Sequence, residues 1–310
     1  MSTSTPNVDL KAAAPATVGS TSAASRAAII AKKKLTSPFA SVAAVFLAVL
    51  WTLPTFGLLV SSFRPEKAVK TTGWWTFFAN PQVTLDNYQA VLSTSGSTGL
   101  GGAFVNSVVI TIPSVIIPLC LASLAAYAFA WIDFWGKNFL FVFVFALQIV
   151  PLQVTLLPLL TLYVKAGLAN TFWTVWLSHS TFALPLAIFI LHNFMKQIPR
   201  ELIEAARMDG AGHVKIFFRV LLPLLTPALA AFGIFQFLWV WNDLLVALTF
   251  AGGGSLKPMT VALLDLSGTR GTAWHLLSAG AFISIIVPVV VFISLQRYFV
   301  RGLLAGGLKG

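Results

Sequence analysis

The side chains that could perform chemistry are few and scattered along this 310-residue chain. Its four histidines, His179, His192, His213 and His275, form neither an HExxH sequence nor a nucleophile arrangement. The single cysteine, Cys120, excludes an internal disulfide, and no Cys/His spacing fits a metal site. A Walker A sequence is also absent, so the sequence predicts no enzyme and no metal or cofactor bound by this chain.

The composition indicates a lipid environment for most of the chain. Hydrophobic residues make up 57% of it and charged residues only 9%, whereas about a quarter of the residues in soluble domains are charged. The formal net charge is +11, and the basic residues lie in short segments between long apolar runs. Such residues set membrane orientation and meet anionic lipid headgroups, so nucleic acid is not an expected partner.

Six apolar segments have the length of membrane-spanning helices, which need about 20 residues each. They cover approximately residues 39–63, 103–131, 138–164, 171–194, 224–250 and 276–300. Because backbone groups in lipid must be satisfied internally, these segments are expected to be helices. The predicted fold class is an all-α membrane protein with six transmembrane helices, since a barrel would show alternating segments of about ten residues.

The placement of Lys and Arg predicts the orientation in the membrane. With the amino terminus in the cytoplasm, most basic residues fall inside, and both termini are cytoplasmic. The basic residues left outside are Arg64, Lys67, Lys70, Lys165, Lys257 and Arg270. Residues 1–37, rich in Ala, Ser and Thr, are expected to form a disordered cytoplasmic tail, and residues 38–310 the transmembrane domain.

The inner loop between predicted spans four and five carries the most specific pattern. Pro199 sits where a helix can begin, and Glu204 follows close to the positive end of the helix dipole. Gly210 and Gly212 are expected to end this helix, because glycine tolerates the left-handed conformation found there. A second short helix should follow before Pro223 marks the entry to the fifth span.

The two predicted helices, near residues 197–222, would bring apolar side chains into the cytoplasm. Leu202, Ala205 and Ala206 share one face of the first helix by their spacing. Such a face is covered either by a protein partner with a cleft or by the membrane surface. The residues by themselves leave both alternatives open.

The same loop resembles the EAA motif found in permeases of binding-protein-dependent ABC importers. That motif reads E-A-A-x(3)-G-x(9)-I-x-L-P, and the only departure here is valine in place of isoleucine. The positions that match or extend it are Glu204, Ala205, Ala206, Asp209, Gly210, Val220, Leu222 and Pro223.

The resemblance covers nearly the whole chain after the tail and is strongest to the maltose-type carbohydrate permeases, specifically the MalG-like partner. It is also carried by SFRP at residues 62–65, WND at residues 241–243 and the carboxyl-terminal sequence QRYFVRGLLAGGLKG. It implies a type I ABC importer permease fold in a bacterial cytoplasmic membrane.

The resemblance further implies a role and a set of partners. In that family the EAA helices dock on an ATP-hydrolysing subunit and convert its closure into alternating access. ATP and Mg would then be bound by the partner ATPase. The expected partners are a second, MalF-like permease, two ATPase subunits and an extracellular or periplasmic sugar-binding protein. The tail residues Leu308, Lys309 and Gly310 resemble a family segment that contacts the ATPases, with a frayed terminus as the alternative.

Two outer loops are expected, near residues 64–102 and 251–274. Aromatic residues of the first, including Trp74 and Trp75, fit either a membrane-interface belt or contact with an external partner. The second resembles the family's scoop loop, which enters the sugar site of the binding protein. The residues assigned to that role are Gly252, Gly253, Gly254 and Ser255.

Polar residues in the spans are candidates for the sugar pathway, because a sugar needs hydrogen-bond donors and acceptors. The candidates are Gln148, Gln236, Asn242 and Asp243. Polar side chains also hold helices together in membranes. As the alternative, Asp243 would be a helix-end residue that bonds neighbouring backbone.

The sequence therefore predicts a permease subunit of a sugar importer, with an α-glucoside or oligosaccharide such as maltose or trehalose as cargo. An ABC permease for another solute remains an alternative. An ion-coupled secondary transporter would need buried, paired acids or bases near the middle of the bilayer. None of the nine Asp and Glu residues lies clearly there.

Overall fold

A computed structural model describes residues 38–93, 100–266 and 273–307 of the protein, and this part of the chain is helical without strands. The all-α class predicted from the sequence is therefore confirmed for these residues. By internal contacts the chain divides into two units, residues 1–56 and 57–310. The predicted tail, residues 1–37, lies outside the described residues.

The described part of the first unit belongs to the helix α1 (Pro38–Ser62), which continues through Pro54 without a break. Phe39, Phe46 and Trp51 are more than half exposed along it. A helix that is apolar on all sides is stable in lipid, where its backbone groups are satisfied within the segment.

The remaining helices belong to the second unit. In chain order they are α2 (Glu66–Thr71), α3 (Asp86–Ser93), α4 (Leu100–Trp131), α5 (Lys137–Ala146), α6 (Leu152–Lys165), α7 (Phe172–Lys196), α8 (Arg200–Met208), α9 (His213–Ile216), α10 (Leu222–Leu224), α11 (Thr226–Trp241), α12 (Leu245–Ala251), α13 (Met259–Leu266) and α14 (Trp274–Gly307). Short 3-10 turns occur at Trp74–Phe78, Leu147–Ile149 and Gly254–Leu256, and a π-helical turn at Phe217–Leu221 joins α9 to α10.

Four helices are long and apolar enough to cross a membrane: α1, α4, α7 and the part of α14 from Trp274 to Gln296. Two bent pairs pass the same test together. Lys137–Ile149 and Leu152–Lys165 meet at 100°, and His213–Leu224 meets Thr226–Trp241 at 71°. The chain thus has four spans, or up to six if each bent pair is one span.

Two of the predicted spans are not continuous helices. The segment expected at 138–164 breaks at Pro151, because proline lacks an N–H and favours an extended residue before it; Val150 has a ψ of 119°. The span expected at 224–250 ends at Trp241, and α12 begins at Leu245. Proline alone does not decide such breaks, since α7 continues through Pro185.

The first predicted outer loop is folded around a buried arginine. Arg64 is 4% exposed, and its guanidinium donates to the Gly73 carbonyl at 3.0 Å and the Thr72 hydroxyl at 2.5 Å. The Asn87 side chain donates to the carbonyls of Ser62 and Arg64, both at 2.9 Å. These bonds connect α2 and α3 to the end of α1, so this segment contains ordered helices.

The main core forms where α4 packs against α7 and α11. Ala122 and Ala126 of α4 and Ala187 of α7 are fully buried. Small residues let helices approach closely, which is how membrane helices gain packing energy. The same core continues to Ile203 and Ile216, so it also supports the inner hairpin.

Candidate coupling site and polar cleft

The first helix of the inner hairpin, α8, is anchored along one side only. Ile203 is 2% exposed and packs into the main core, and Ala206 is half-buried beside it. Leu202 is 46% exposed, and Glu204 and Ala205 are exposed as well. The expected face of Leu202, Ala205 and Ala206 therefore divides between solvent and core. The buried anchor is Ile203, which sequence reasoning missed.

Gly210 ends α8 as predicted, in a left-handed conformation with φ +75°. The Gly210 N–H donates to the Arg207 carbonyl and the Ala211 N–H to the Ala206 carbonyl, both at 2.9 Å. These two bonds form a Schellman motif, which satisfies carbonyls that the helix end leaves free. Gly212 has φ −74° and ψ 171°, an extended conformation open to any residue.

The second half of the hairpin is locked into the core before it enters α11. Ile216 and Leu221 are 1% and 0% exposed. Val220 and Leu222 of the EAA match are half-buried, and Pro223 is exposed. The EAA residues thus lie along one continuous segment that runs from the hairpin to the bent entry of α11.

A hydrogen bond ties the hairpin to the span α4. The Tyr127 hydroxyl lies 2.7 Å from His213 Nδ1, and the two rings meet edge to face with centroids 5.9 Å apart. Tyr127 also contacts the ring of Phe217 at 5.5 Å. Sequence reasoning considered His213 only as a catalytic or metal candidate and missed this contact.

The outward side of the hairpin combines apolar and charged groups. Met208, Val214 and Phe218 are 85%, 73% and 56% exposed. The carboxylate of Asp209 and the ammonium of Lys215 are exposed on the same two helices. An apolar surface with charges of both signs around it is typical of a protein-binding site.

Two of the four predicted pathway residues line one cleft. Gln148 and Gln236 both border a cavity of about 170 Å³ together with Phe182 and Trp239. Gln236 is fully buried; its Nε2 donates to the Ser114 carbonyl at 3.3 Å. A larger cleft of about 480 Å³ shares Gln148, Phe182 and Trp239, so the two are continuous.

Asn242 and Asp243 do not line that cleft. Asn242 Nδ2 donates to the Leu238 carbonyl of its own helix at 2.7 Å. The Asp243 carboxylate accepts the Ala247 N–H at 3.0 Å and lies 3.8 Å from His179 Nε2. Burial raises the pKa of the Asp243 carboxyl above its ordinary value, and the hydrogen bond from Ala247 opposes the rise. This geometry is that of a residue holding the start of α12.

The predicted scoop segment is attached to α4. The Asn106 side chain donates to the carbonyls of Ser255 and Lys257 at 2.7 and 2.9 Å. Gly254 adopts φ +64°, and a side chain there would meet no neighbour within 4 Å. Gly252 and Gly253 precede it in the turn after α12. The segment is therefore held at its end and open around its glycines.

The predicted ATPase contact of the tail, Leu308, Lys309 and Gly310, lies outside the described residues. Within the described ranges, no group of three or more His, Cys, Asp or Glu side chains is placed to hold a metal ion.

The chain belongs to the family of binding-protein-dependent transport system inner membrane components, whose model matches residues 118–304. These proteins are the permease subunits of ABC importers. The chain is therefore a multi-pass inner-membrane transport subunit rather than an enzyme, as the sequence predicted.

Individual relatives are similar over most of their length. The osmoprotective compounds uptake permease protein GgtD of Synechocystis sp. is 52% identical over 86% of this chain and 91% of its own. The alpha-glucoside transport system permease protein AglG of Rhizobium meliloti is 49% identical over 81% and 67%. A bacterial ABC transporter that imports the acidic polysaccharide alginate matches in fold, with a TM-score of 0.68 and 21% identity over 91% of this chain and 100% of that chain.

Proposed function

We propose that this chain forms half of the translocation pathway of an ATP-driven carbohydrate importer, with six spans and both termini in the cytoplasm. The observation that carries the proposal is the hairpin of α8 and α9. Its inner side is fixed to the core by Ile203 and Ile216, and its outer side exposes Met208 and Val214. A lever needs one rigid attachment and one free docking face.

The docking face would fit a groove on a partner ATPase, which binds the ATP and Mg. Apolar side chains such as Met208 would enter the groove, and Glu204 would meet a basic or hydrogen-bond-donating group there. Closure of the ATPases would then move the hairpin together with α4, because Tyr127 joins the two at 2.7 Å from His213. Two states of this interface, biased by ATP, would give alternating access.

The complete importer would contain a second, MalF-like permease, two ATPase subunits and an external sugar-binding protein. The segment of Gly252, Gly253, Gly254 and Ser255 would contact the binding protein, and Leu308, Lys309 and Gly310 the ATPases. In this proposal Gln148 and Gln236 lie on the solute pathway, while Asn242 and Asp243 hold the helix end.

The proposed cargo is an α-glucoside or short oligosaccharide such as maltose or trehalose. Support comes from the relative AglG, which is named for alpha-glucoside transport, and from AraQ of Halalkalibacterium halodurans, named for arabinooligosaccharides and 35% identical over 90% of this chain. The name of GgtD favours a second candidate, an osmoprotective solute.

Affinity purification of the tagged chain from its own cells in mild detergent tests the class of complex. A second permease and an ATPase with a Walker A sequence should co-purify. The complex, reconstituted with its binding protein, should then take up a labelled α-glucoside only with ATP. Uptake of osmoprotective solutes alone would replace the cargo assignment, and uptake without ATP would refute the mechanism.

A further inference from the structure

The bent span of α5 and α6 places irregular backbone at membrane depth. The helices turn by 100° around Val150 and Pro151. Lipid cannot satisfy the N–H and C=O groups of such a bend, so irregular backbone occurs there only inside protein or beside a water-filled cavity. The bend therefore faces either a partner helix or the solute pathway.

Polar side chains favour the pathway. Gln148 and Gln153, on the two sides of the bend, are exposed, and neither makes a hydrogen bond to another described residue. An unpaired amide is costly in hydrocarbon, because it loses its bonds to water and gains none. Two such amides beside one cleft are accounted for when the cleft contains water or a polar solute.

The inner end of the cleft contains an unused acceptor. Gln236 is fully buried and borders the cavity, and its Oε1 has no hydrogen-bond partner among the described residues. Its Nε2 is fixed by the Ser114 carbonyl, so the side chain cannot turn away without breaking that bond. A buried acceptor held in this way is satisfied by a hydroxyl donor from a bound molecule.

The walls of the cleft define the chemical class of that molecule. Trp239 and Phe182 present aromatic rings, and Gln148 and Gln153 present amides, in a cleft of about 480 Å³, within the size range of ligand sites. Among the described residues that line the two connected clefts, none is charged. Aromatic faces with amides and no charge suit a neutral, hydroxyl-rich ring and give an anion or cation no partner.

We propose that Gln148, Phe182, Gln236 and Trp239 form a saccharide subsite on this subunit, with the Trp239 ring as platform and the Gln236 carbonyl as acceptor of a sugar hydroxyl. The inference rests on the proposed carbohydrate cargo. It makes this chain a contributor to sugar binding in the pathway, not only a wall of it.

Cysteine accessibility in the assembled importer tests the subsite directly. In a Cys120→Ala background, Gln148→Cys should react with a membrane-impermeant thiol reagent, and maltotriose should slow the reaction about tenfold when it fills the site. Val142→Cys, on the exposed surface of α5 outside the cleft, is the matched control and should not be protected. Reaction of Gln148→Cys without protection by any transported sugar would overturn the proposal.

Substitution of the platform gives the second measurement. Trp239→Leu should lower saccharide transport per ATP hydrolysed by about tenfold, and Trp239→Phe should restore most of it because a ring remains. Trp173→Leu, a half-exposed tryptophan outside the cleft, should leave the ratio unchanged. Wild-type importer that moves no saccharide would refute the proposed function, whereas wild-type transport with an unaffected Trp239→Leu ratio would refute the subsite alone.

Discussion

Replacing Gly210 by alanine isolates the contribution of one backbone conformation to coupling. Gly210 has φ +75°, and an added Cβ would meet no atom within 4 Å, so the substitution introduces no steric clash with neighbours. The left-handed conformation costs a residue with a Cβ about 1–2 kcal/mol. That energy corresponds to roughly a 5–30-fold shift between the closed and open forms of the Schellman turn.

Hydrogen exchange of the purified complex measures this shift. The amides of Gly210 and Ala211, which bond to Arg207 and Ala206, should exchange faster in Gly210→Ala by roughly the same 5–30-fold factor. Sugar uptake per ATP hydrolysed should fall in parallel if this turn fixes the lever. Gly210→Asn should show a smaller effect, because asparagine tolerates the left-handed region.

Gly212→Ala is the matched control. Gly212 also has free space around its Cβ position, but its φ of −74° suits any residue. Its exchange and coupling should stay close to wild type. Equal effects of the two alanine substitutions, or no effect of Gly210→Ala, would refute the argument that the left-handed turn holds the hairpin.

Three further substitutions test other contacts. Tyr127→Phe should cost about 1 kcal/mol, and a double-mutant cycle with His213→Ala should recover a coupling energy of that size; purely additive effects would contradict a direct bond. Arg64→Met should cost roughly 3 kcal/mol or more, because several buried acceptors lose their donor, and Arg64→Lys should restore only part of the folded yield in size-exclusion chromatography. Asp243→Ala should cost about 1 kcal/mol by removing the acceptor for Ala247, whereas Asp243→Asn keeps it.

The Asp243 pair also has a pH dependence of defined sign. Because burial raises the pKa of Asp243 in the folded state, the wild type loses stability as pH rises through that pKa. Asp243→Asn has no such charge, so its melting temperature relative to wild type should increase over the same pH range. A constant difference between the two proteins across pH would contradict the burial argument.

The sequence predicted the inner hairpin well because its determinants are local. Glu204, Gly210 and Pro223 lie within one short segment, and a glycine that ends a helix can be recognised from its neighbours. The split of the first helix into a buried Ile203 and an exposed Leu202 was not predictable, since apolar spacing does not say which apolar residue finds the core.

Features that depend on distant contacts could not be read from the sequence. Tyr127 and His213 are 86 positions apart, and nothing in either segment indicates the other. The cradle of Arg64 requires α2 and α3 to fold back on the end of α1, which composition describes only as a polar outer loop. Gln148 and Gln236 were chosen as polar residues in apolar segments; their shared cleft with Trp239 needed the packing of three helices.

The exposed hairpin also affects how the cell must produce this subunit. Met208 and Val214 stand in water in the isolated chain at 85% and 73% exposure, and this surface invites aggregation or recognition by quality-control proteases until it is covered. A chain made in excess of its partner would be degraded at a rate set by that surface. Balanced synthesis of the subunits is therefore a requirement already present in the geometry of two short helices.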